Sequence, residues 1–82
     1  MIKVLFFGQL REQLGVDNTE VSMDTQITVS QLLQILIKTH PHWAVDLNNT
    51  SLLVAVDQVM AKSHSLISES SEVAFFPPVT GG

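Results

Sequence analysis

The sequence contains no cysteine and few basic residues. Without cysteine the chain has no disulfide, no thiolate metal ligand and no cysteine nucleophile, so any sulfur chemistry would need another group on the chain. Lysine and arginine together number 4 against 8 acidic residues, and the net charge is −4. Because the basic residues form no run, the charge disfavours binding to nucleic acid and favours a basic protein surface as a partner.

Long apolar runs are also missing. No run reaches the roughly 18 residues that a membrane span needs, and the start, MIKVLFFGQL, is too short and too quickly polar for a secretory signal. With 82 residues, 45% of them hydrophobic, the chain is large enough to fold as one domain around a single small core. We therefore expect a cytoplasmic protein.

Two strands are predicted near the N terminus. The stretch IKVLFF is β-branched and aromatic, and its alternation turns Ile2, Val4 and Phe6 toward the core. REQLGVDN is typical of a short helical turn or loop that closes on Gly15, and TEVSM then alternates as a second strand. The two strands are expected to form a hairpin with a long loop.

The clearest predicted element is a helix within TVSQLLQILIKTHP. Thr28 can cap this helix, and Gln31, three residues later, can reach back to the cap. Pro41 excludes His40 from helical geometry, so we expect the helix to span residues 29–39. Its buried stripe should consist of Val29, Leu32, Leu33 and Leu36.

The second half of the chain is predicted to contain three more strands. SLLVAV is typical of a buried strand, Asp57 and Gln58 of a tight turn, and VMAK of the partner strand. An irregular stretch around Trp43 precedes them, and the serine-rich loop LISESSE leads to the last strand, VAFF. One helix over one sheet face predicts an α+β architecture, in which the first and last strands can lie parallel in the centre.

Several polar residues are better explained by packing or solvent exposure than by chemistry. The two histidines of HPHW lack the third and fourth ligands that a metal site needs, and we predict no metal. Glu69 and Glu72 flank a serine-rich turn rather than an apolar cleft suited to an acid and base pair. His64 is isolated, and the chemistry of a hairpin turn accounts for Asp57.

The chain ends in FFPPVTGG, a composition that is unusual for a terminus. The two prolines cannot donate ladder hydrogen bonds, so they end the last strand and project the rest outward. The two glycines lack Cβ atoms, which lets the backbone enter a narrow channel. Six residues at about 3.3 Å each reach ~20 Å. We divide the chain into a domain, residues 1–76, and a flexible tail, residues 77–82, that enters another protein's active site.

Together, these features resemble those of one protein family. From IKVLFFGQLRE through LLVAVDQ to EVAFFPPVTGG, the whole chain resembles the small, sulfur-carrying subunit of molybdopterin synthase. The resemblance implies the β-grasp, ubiquitin-like fold, with a mixed sheet of about five strands and one main helix packed on one face. It also implies that an ATP-dependent, E1-like enzyme adenylates the carboxylate of Gly82, after which a sulfur donor displaces AMP to give a thiocarboxylate.

Within this resemblance the chain is a non-catalytic subunit and a sulfur-donating co-substrate. It binds no cofactor of its own, because the activating enzyme uses the ATP, and the active site is expected on the large synthase subunit of a heterotetramer. There the thiocarboxylate converts the cyclic pyranopterin monophosphate precursor to the dithiolene of molybdopterin, and two sulfurs require two carrier turnovers. The residues that precede Gly82 in the inserted tail would be Pro77, Pro78, Val79, Thr80 and Gly81.

Docking requires a surface on the domain, because ordering six tail residues costs on the order of 6–12 kcal/mol. Alternation along the first and last strands places apolar side chains on the sheet face opposite the helix. Met60 joins them if Val59 is part of the core. The predicted partner-binding residues are Leu5, Phe7, Met60 and Phe76, an apolar patch of the kind that marks an interface, with Arg11 at its rim.

Three other functions fit parts of the sequence. A sulfur carrier for thiazole synthesis also resembles a β-grasp domain that ends in two glycines, although the VLFFG opening, the FFPPVTGG ending and the longer chain favour the molybdopterin branch. A ubiquitin-like modifier would be joined to lysines through the same terminus. A plain interaction module would have an inert terminus, and blocking that terminus would be harmless.

Overall fold

A computed structural model describes residues 1–78 of the protein. The strands in this part of the chain are β1 (Ile2–Phe6), β2 (Asn18–Val21), β3 (Ile27–Thr28), β4 (Leu53–Val56), β5 (Val59–Ala61), β6 (Leu66–Ile67) and β7 (Glu72–Phe76). The helices are α1 (Gly8–Leu14), α2 (Val29–Thr39) and α3 (Ala44–Leu47), and a 3₁₀ turn spans Pro41–Trp43. None of the helices described in residues 1–78 is long and apolar enough to cross a membrane.

Five strands form one mixed sheet in the order β2-β1-β7-β4-β5. At its centre β1 and β7 are parallel neighbours, whereas the other three pairs are antiparallel. This arrangement confirms the prediction that the first and last strands lie side by side. Because the main helix, α2, packs on one face of the sheet, the predicted α+β class and β-grasp arrangement are also confirmed.

The core lies between α2 and the inner face of the sheet. The two central strands send alternate side chains inward, and five of these are at most 1% exposed: Ile2, Val4, Phe6, Val73 and Phe75. From α2, the residues Val29, Leu32 and Leu36 are buried against them, whereas Leu33 is only partly buried. The predicted stripe of the helix is therefore confirmed at three of its four positions.

The bounds of α2 agree with the prediction. Gln31 N donates a hydrogen bond to Thr28 Oγ1 at 3.1 Å, and Thr28 N donates one to Gln31 Oε1 at 2.8 Å, which completes a capping box. At the other end, His40 has φ −128° and ψ 77°, outside the helical region, as a following proline requires. Local sequence signals therefore fix both ends of this helix.

The hairpin between β4 and β5 also forms as predicted. Its two central residues, Asp57 and Gln58, have φ angles of 50° and 69°. Positive φ at both central positions is the geometry that favours a two-residue hairpin turn, because its twist matches that of the strands. The turn fixes the register of β5 against β4, with Ala55 opposite Met60.

Three segments of the chain differ from the prediction. The segment after β1, predicted as a short helical turn or loop, is a helix of 7 residues, α1, which is anchored by the buried Leu10 and Leu14. The stretch around Trp43 is regular, consisting of the 3₁₀ turn and α3. The serine-rich loop contains β6, which pairs with β3 in a second sheet and buries Ile67 completely. Elements this short show no detectable period in the sequence, which explains why the prediction missed them.

Candidate functional site

The sheet face opposite α2, called here the outer face, is apolar at one end. Alternation along β1 and β7 turns Leu5, Phe7 and Phe76 to this face, since their neighbours in sequence are buried in the core. On β4, Leu53 lies directly opposite Phe76, and the register of β5 turns Met60 the same way. Phe7 is 47% and Met60 58% exposed. We call these five side chains the apolar face: Leu5, Phe7, Leu53, Met60 and Phe76.

The four predicted patch residues therefore lie on one face of the sheet. The condition attached to Met60 does not hold, because Val59 is 68% exposed rather than part of the core. Met60 reaches the outer face through its pairing with Ala55. The prediction missed Leu53, because the continuous apolar run SLLVAV conceals the alternation that its pairing with Phe76 reveals. A role of these residues in partner binding stays a prediction.

The opposite end of the outer face is charged. Lys3 on β1 lies between Glu20 on β2 and Glu72 on β7, and alternation turns all three side chains outward. The outer face is thus divided into a charged end, where β7 begins, and an apolar end, where β7 finishes. The chain consequently leaves the domain beside the apolar face.

The exit of the chain from β7 is partly fixed by packing. Pro77, the first residue after the strand, is partly buried, whereas Pro78 is exposed. A Cβ atom placed on Gly8 would lie 3.4 Å from Pro77 Cγ and 3.5 Å from Pro77 Cδ, so the proline ring packs over this glycine. The remaining predicted tail residues, Val79, Thr80, Gly81 and Gly82, lie outside the residues that the structure describes.

Arg11 is exposed and lies in the last turn of α1. It lines a shallow, open depression together with Asp17 and Asn18. Because Asn18 lies opposite Leu5 in the sheet, this depression borders the outer face on the β2 side. The role of Arg11 at the rim of the apolar face and its ion pair with a partner both stay predictions.

The histidines near Trp43 take part in an aromatic stack. The rings of His40 and Trp43 lie 3.8 Å apart with 18° between their planes. Trp43 is 3% exposed and meets Phe6 edge on, with ring centroids 5.4 Å apart. Among residues 1–78, no group of three or more potential ligands is placed to hold a metal ion. The stack gives His40 a packing role, which is one of the two roles predicted for the histidines of HPHW.

Asp57 does more than shape the hairpin turn. Its carboxylate accepts hydrogen bonds from Ser71 Oγ at 3.0 Å and from Glu72 N at 2.9 Å. Asp57 N also donates to Glu72 O at 2.8 Å. Ser71 is only 3% exposed, and its hydroxyl is satisfied by protein partners, which also include Ser68 Oγ at 2.8 Å and Ser68 N at 3.2 Å. Asp57 thus joins the β4–β5 turn to the start of β7, a long-range contact that the sequence does not reveal.

Comparison with known proteins agrees with this fold. A family model described as the ThiS family matches residues 4–82. The molybdopterin synthase sulfur carrier subunit of Escherichia coli (strain K12) is 48% identical over 82 residues, with 100% of both chains covered. SAMP1 from Haloferax volcanii, a small archaeal modifier protein, has a TM-score of 0.82 at 26% identity, covering 99% of this chain and 98% of that one. One chain of the complex of subunits 1 and 2 of molybdopterin-converting factor from Helicobacter pylori 26695 has a TM-score of 0.64 at 16% identity, covering 99% and 97%, and shows similarity of fold alone.

Proposed function

Because the chain belongs to the ThiS family, we propose that it is a sulfur carrier and that it is the sulfur carrier subunit of molybdopterin synthase. The end-to-end similarity to the E. coli subunit supports this specific function. The structural observation that carries the proposal is the apolar face beside the exit of the chain from β7. A partner that binds the apolar face is placed to receive the C-terminal segment.

The chemistry takes place on the carboxylate of Gly82. A carboxylate is a poor electrophile, so an ATP-dependent E1-like enzyme first joins it to AMP and releases pyrophosphate. A donor that supplies hydrosulfide then attacks the acyl carbon through sulfur, AMP leaves with the bonding electron pair, the sulfur loses its proton, and Gly82 becomes a thiocarboxylate. The chain has no cysteine, so the terminal carboxylate is the group on which it can carry sulfur covalently.

Delivery of the sulfur requires docking to the large subunit of the synthase. The active site there converts the cyclic pyranopterin monophosphate precursor to a dithiolene, and each of the two sulfurs arrives on one carrier. Ordering residues 77–82 costs on the order of 6–12 kcal/mol, which burial of the apolar face has to offset. The net charge of −4 favours a basic rim around the partner's binding surface. We place this transfer in the cytoplasm.

Changing the length of the terminus tests the proposal. Adding one residue after Gly82, or deleting Gly82, moves the reactive carboxylate by one residue, and a misplacement of even about 1 Å can lower a rate on the order of a hundredfold. We expect thiocarboxylate formation and molybdopterin synthesis to be lost in a mixture of activating enzyme, ATP, sulfur donor, large subunit and precursor. Thermal stability and binding to the large subunit should be retained, since the apolar face is unchanged.

The unaltered protein is the control for both variants. Its intact mass after the activation reaction should show sulfur in place of one oxygen at the C terminus. If the extended variant supports both reactions at the rate of the unaltered protein without being trimmed, the terminal carboxylate is not the sulfur site. The interaction-module alternative would then replace the carrier proposal.

The similarity to SAMP1 favours a ubiquitin-like modifier as the second candidate function. A modifier would use the same adenylated terminus, but a lysine amine rather than sulfur would attack the acyl carbon. Isopeptide-linked products in cells, isolated through a tagged N terminus, would support this function. If the free protein carries a thiocarboxylate and no such products form, the carrier function is supported. If that sulfur enters a thiazole rather than a dithiolene, the protein is the sulfur carrier for thiazole synthesis.

A further inference from the structure

Pro77 and Pro78 are neighbours of identical chemistry in different environments. Pro77 is partly buried, and its ring packs over Gly8, whereas Pro78 is exposed. Gly8 has φ +60°, so the chain turns there from β1 into α1 and presents a backbone without a side chain to the ring. The contact therefore joins the end of the central strand to the start of α1.

The hydrogen bonds of the central strands explain why a proline occupies position 77. Phe7 N donates to Phe75 O at 3.1 Å, across the parallel pair of β1 and β7. In a parallel ladder the next bond would need an N–H from residue 77. Proline has none, so the ladder stops at a defined residue instead of extending into the tail. Position 77 thus ends the strand and simultaneously packs against Gly8.

We propose that Pro77, held against Gly8, is a positioning residue that sets the point and direction at which the C-terminal segment leaves the domain. This inference rests on the proposed function, because it concerns how the terminal carboxylate reaches an active site. With Pro77 held, the segment that must be aligned begins at Pro78 and comprises five residues, which reach about 16 Å when extended. The apolar face fixes the domain on the partner, and Pro77 fixes the origin of the segment.

The paired variants Pro77→Ala and Pro78→Ala test this role. Each removes one proline and its stiffening of the chain, which alone corresponds to about a two- to fivefold effect. We expect Pro78→Ala to lower the kcat of adenylation within that range. Pro77→Ala should lower kcat about tenfold or more, because the origin of the segment also shifts. The KM for the carrier should stay nearly unchanged in both, because neither substitution alters the side chains on the surface of residues 1–76.

A second pair of variants tests the contact between Gly8 and Pro77 by changing the glycine. Gly8→Leu and Gly15→Leu both place a leucine at a positive φ, +60° and +79° respectively, but a Cβ at Gly15 meets nothing within 4 Å. Both should lower Tm by about 4–16 °C through backbone strain. Only Gly8→Leu places a side chain against Pro77, so only Gly8→Leu should also lower kcat per folded molecule.

An NMR measurement on the free protein tests the contact without any activity. We expect nuclear Overhauser effects between the Gly8 α protons and the Pro77 ring protons, and none between Gly8 and Pro78. Absence of the first set in the folded protein would overturn the inference. Equal kcat losses for Pro77→Ala and Pro78→Ala, or for the two leucine variants, would also overturn it and leave the carrier function standing. An unaltered protein that forms no thiocarboxylate would instead refute the proposed function itself.

Discussion

Replacing Phe76 with alanine separates docking from folding. Phe76 is partly exposed on the apolar face, opposite Leu53, so its truncation should lower the free energy of unfolding by about 1–2 kcal/mol. An aromatic anchor lost from the centre of an interface costs about 2 kcal/mol or more. This corresponds to roughly a 30-fold rise in the Kd for the large subunit. Isothermal titration calorimetry with the purified large subunit would measure the change.

The neighbouring residue provides a matched control. Phe75 is 1% exposed and stacks against Phe6 with ring centroids 6.4 Å apart. Phe75→Ala should lower the free energy of unfolding by about 3–5 kcal/mol, a large share of the ~5–15 kcal/mol of a typical domain. If Phe75→Ala does not fold, Phe75→Leu is a milder substitution that can be measured in its place. The folded fraction of either variant should bind the large subunit with a nearly unchanged Kd. The assignment of faces is refuted if Phe76→Ala collapses the thermal transition while binding per folded molecule is unchanged.

Three further predictions concern the domain. Asp57→Ala removes the carboxylate that accepts hydrogen bonds from Ser71 Oγ and Glu72 N, although Ser71 Oγ keeps Ser68 Oγ as a partner, and it should lower the free energy of unfolding by about 1–3 kcal/mol in urea titrations. Asp57→Asn keeps an acceptor and should cost less. Thr28→Ala removes half of the capping box, so Tm should fall by about 4–8 °C, and an unchanged Tm would contradict the cap. Met60→Asp should abolish most binding to the large subunit at nearly constant stability, while Val45→Asp, at an 85% exposed site on α3, should leave binding unchanged.

Elements with strong local signals could be predicted from the sequence to the residue. The capping box at Thr28 and the proline at position 41 define α2, and both act within a few residues of the helix ends. The Asp57 and Gln58 turn is equally local, since two residues determine its geometry. The strand alternation that places Phe76 outward needs only the period of two.

Features that depend on distant pairing could not be predicted in this way. β3 and β6 contain two residues each, and their pairing, rather than any period, defines them. Leu53 joins the apolar face through its register with Phe76, which a continuous apolar run conceals. The contact between Gly8 and Pro77 joins the two ends of the chain. In each case the information lies in residues far apart in sequence, so a local pattern does not contain it.

The central position of β7 has a consequence for the folding of the chain during translation. β7 lies between β1 and β4, so before it is made the sheet consists of two separate halves, β2-β1 and β4-β5. Chains grow from the N terminus at about 5–20 residues per second, and β7 is the last strand to be translated. The parallel pairing of β1 with β7 also has a sequence separation close to the length of the domain, which slows folding. We therefore expect a nascent chain that stops short of β7 to lack the strand that joins the two halves of the sheet, and so to remain unfolded and open to proteolysis.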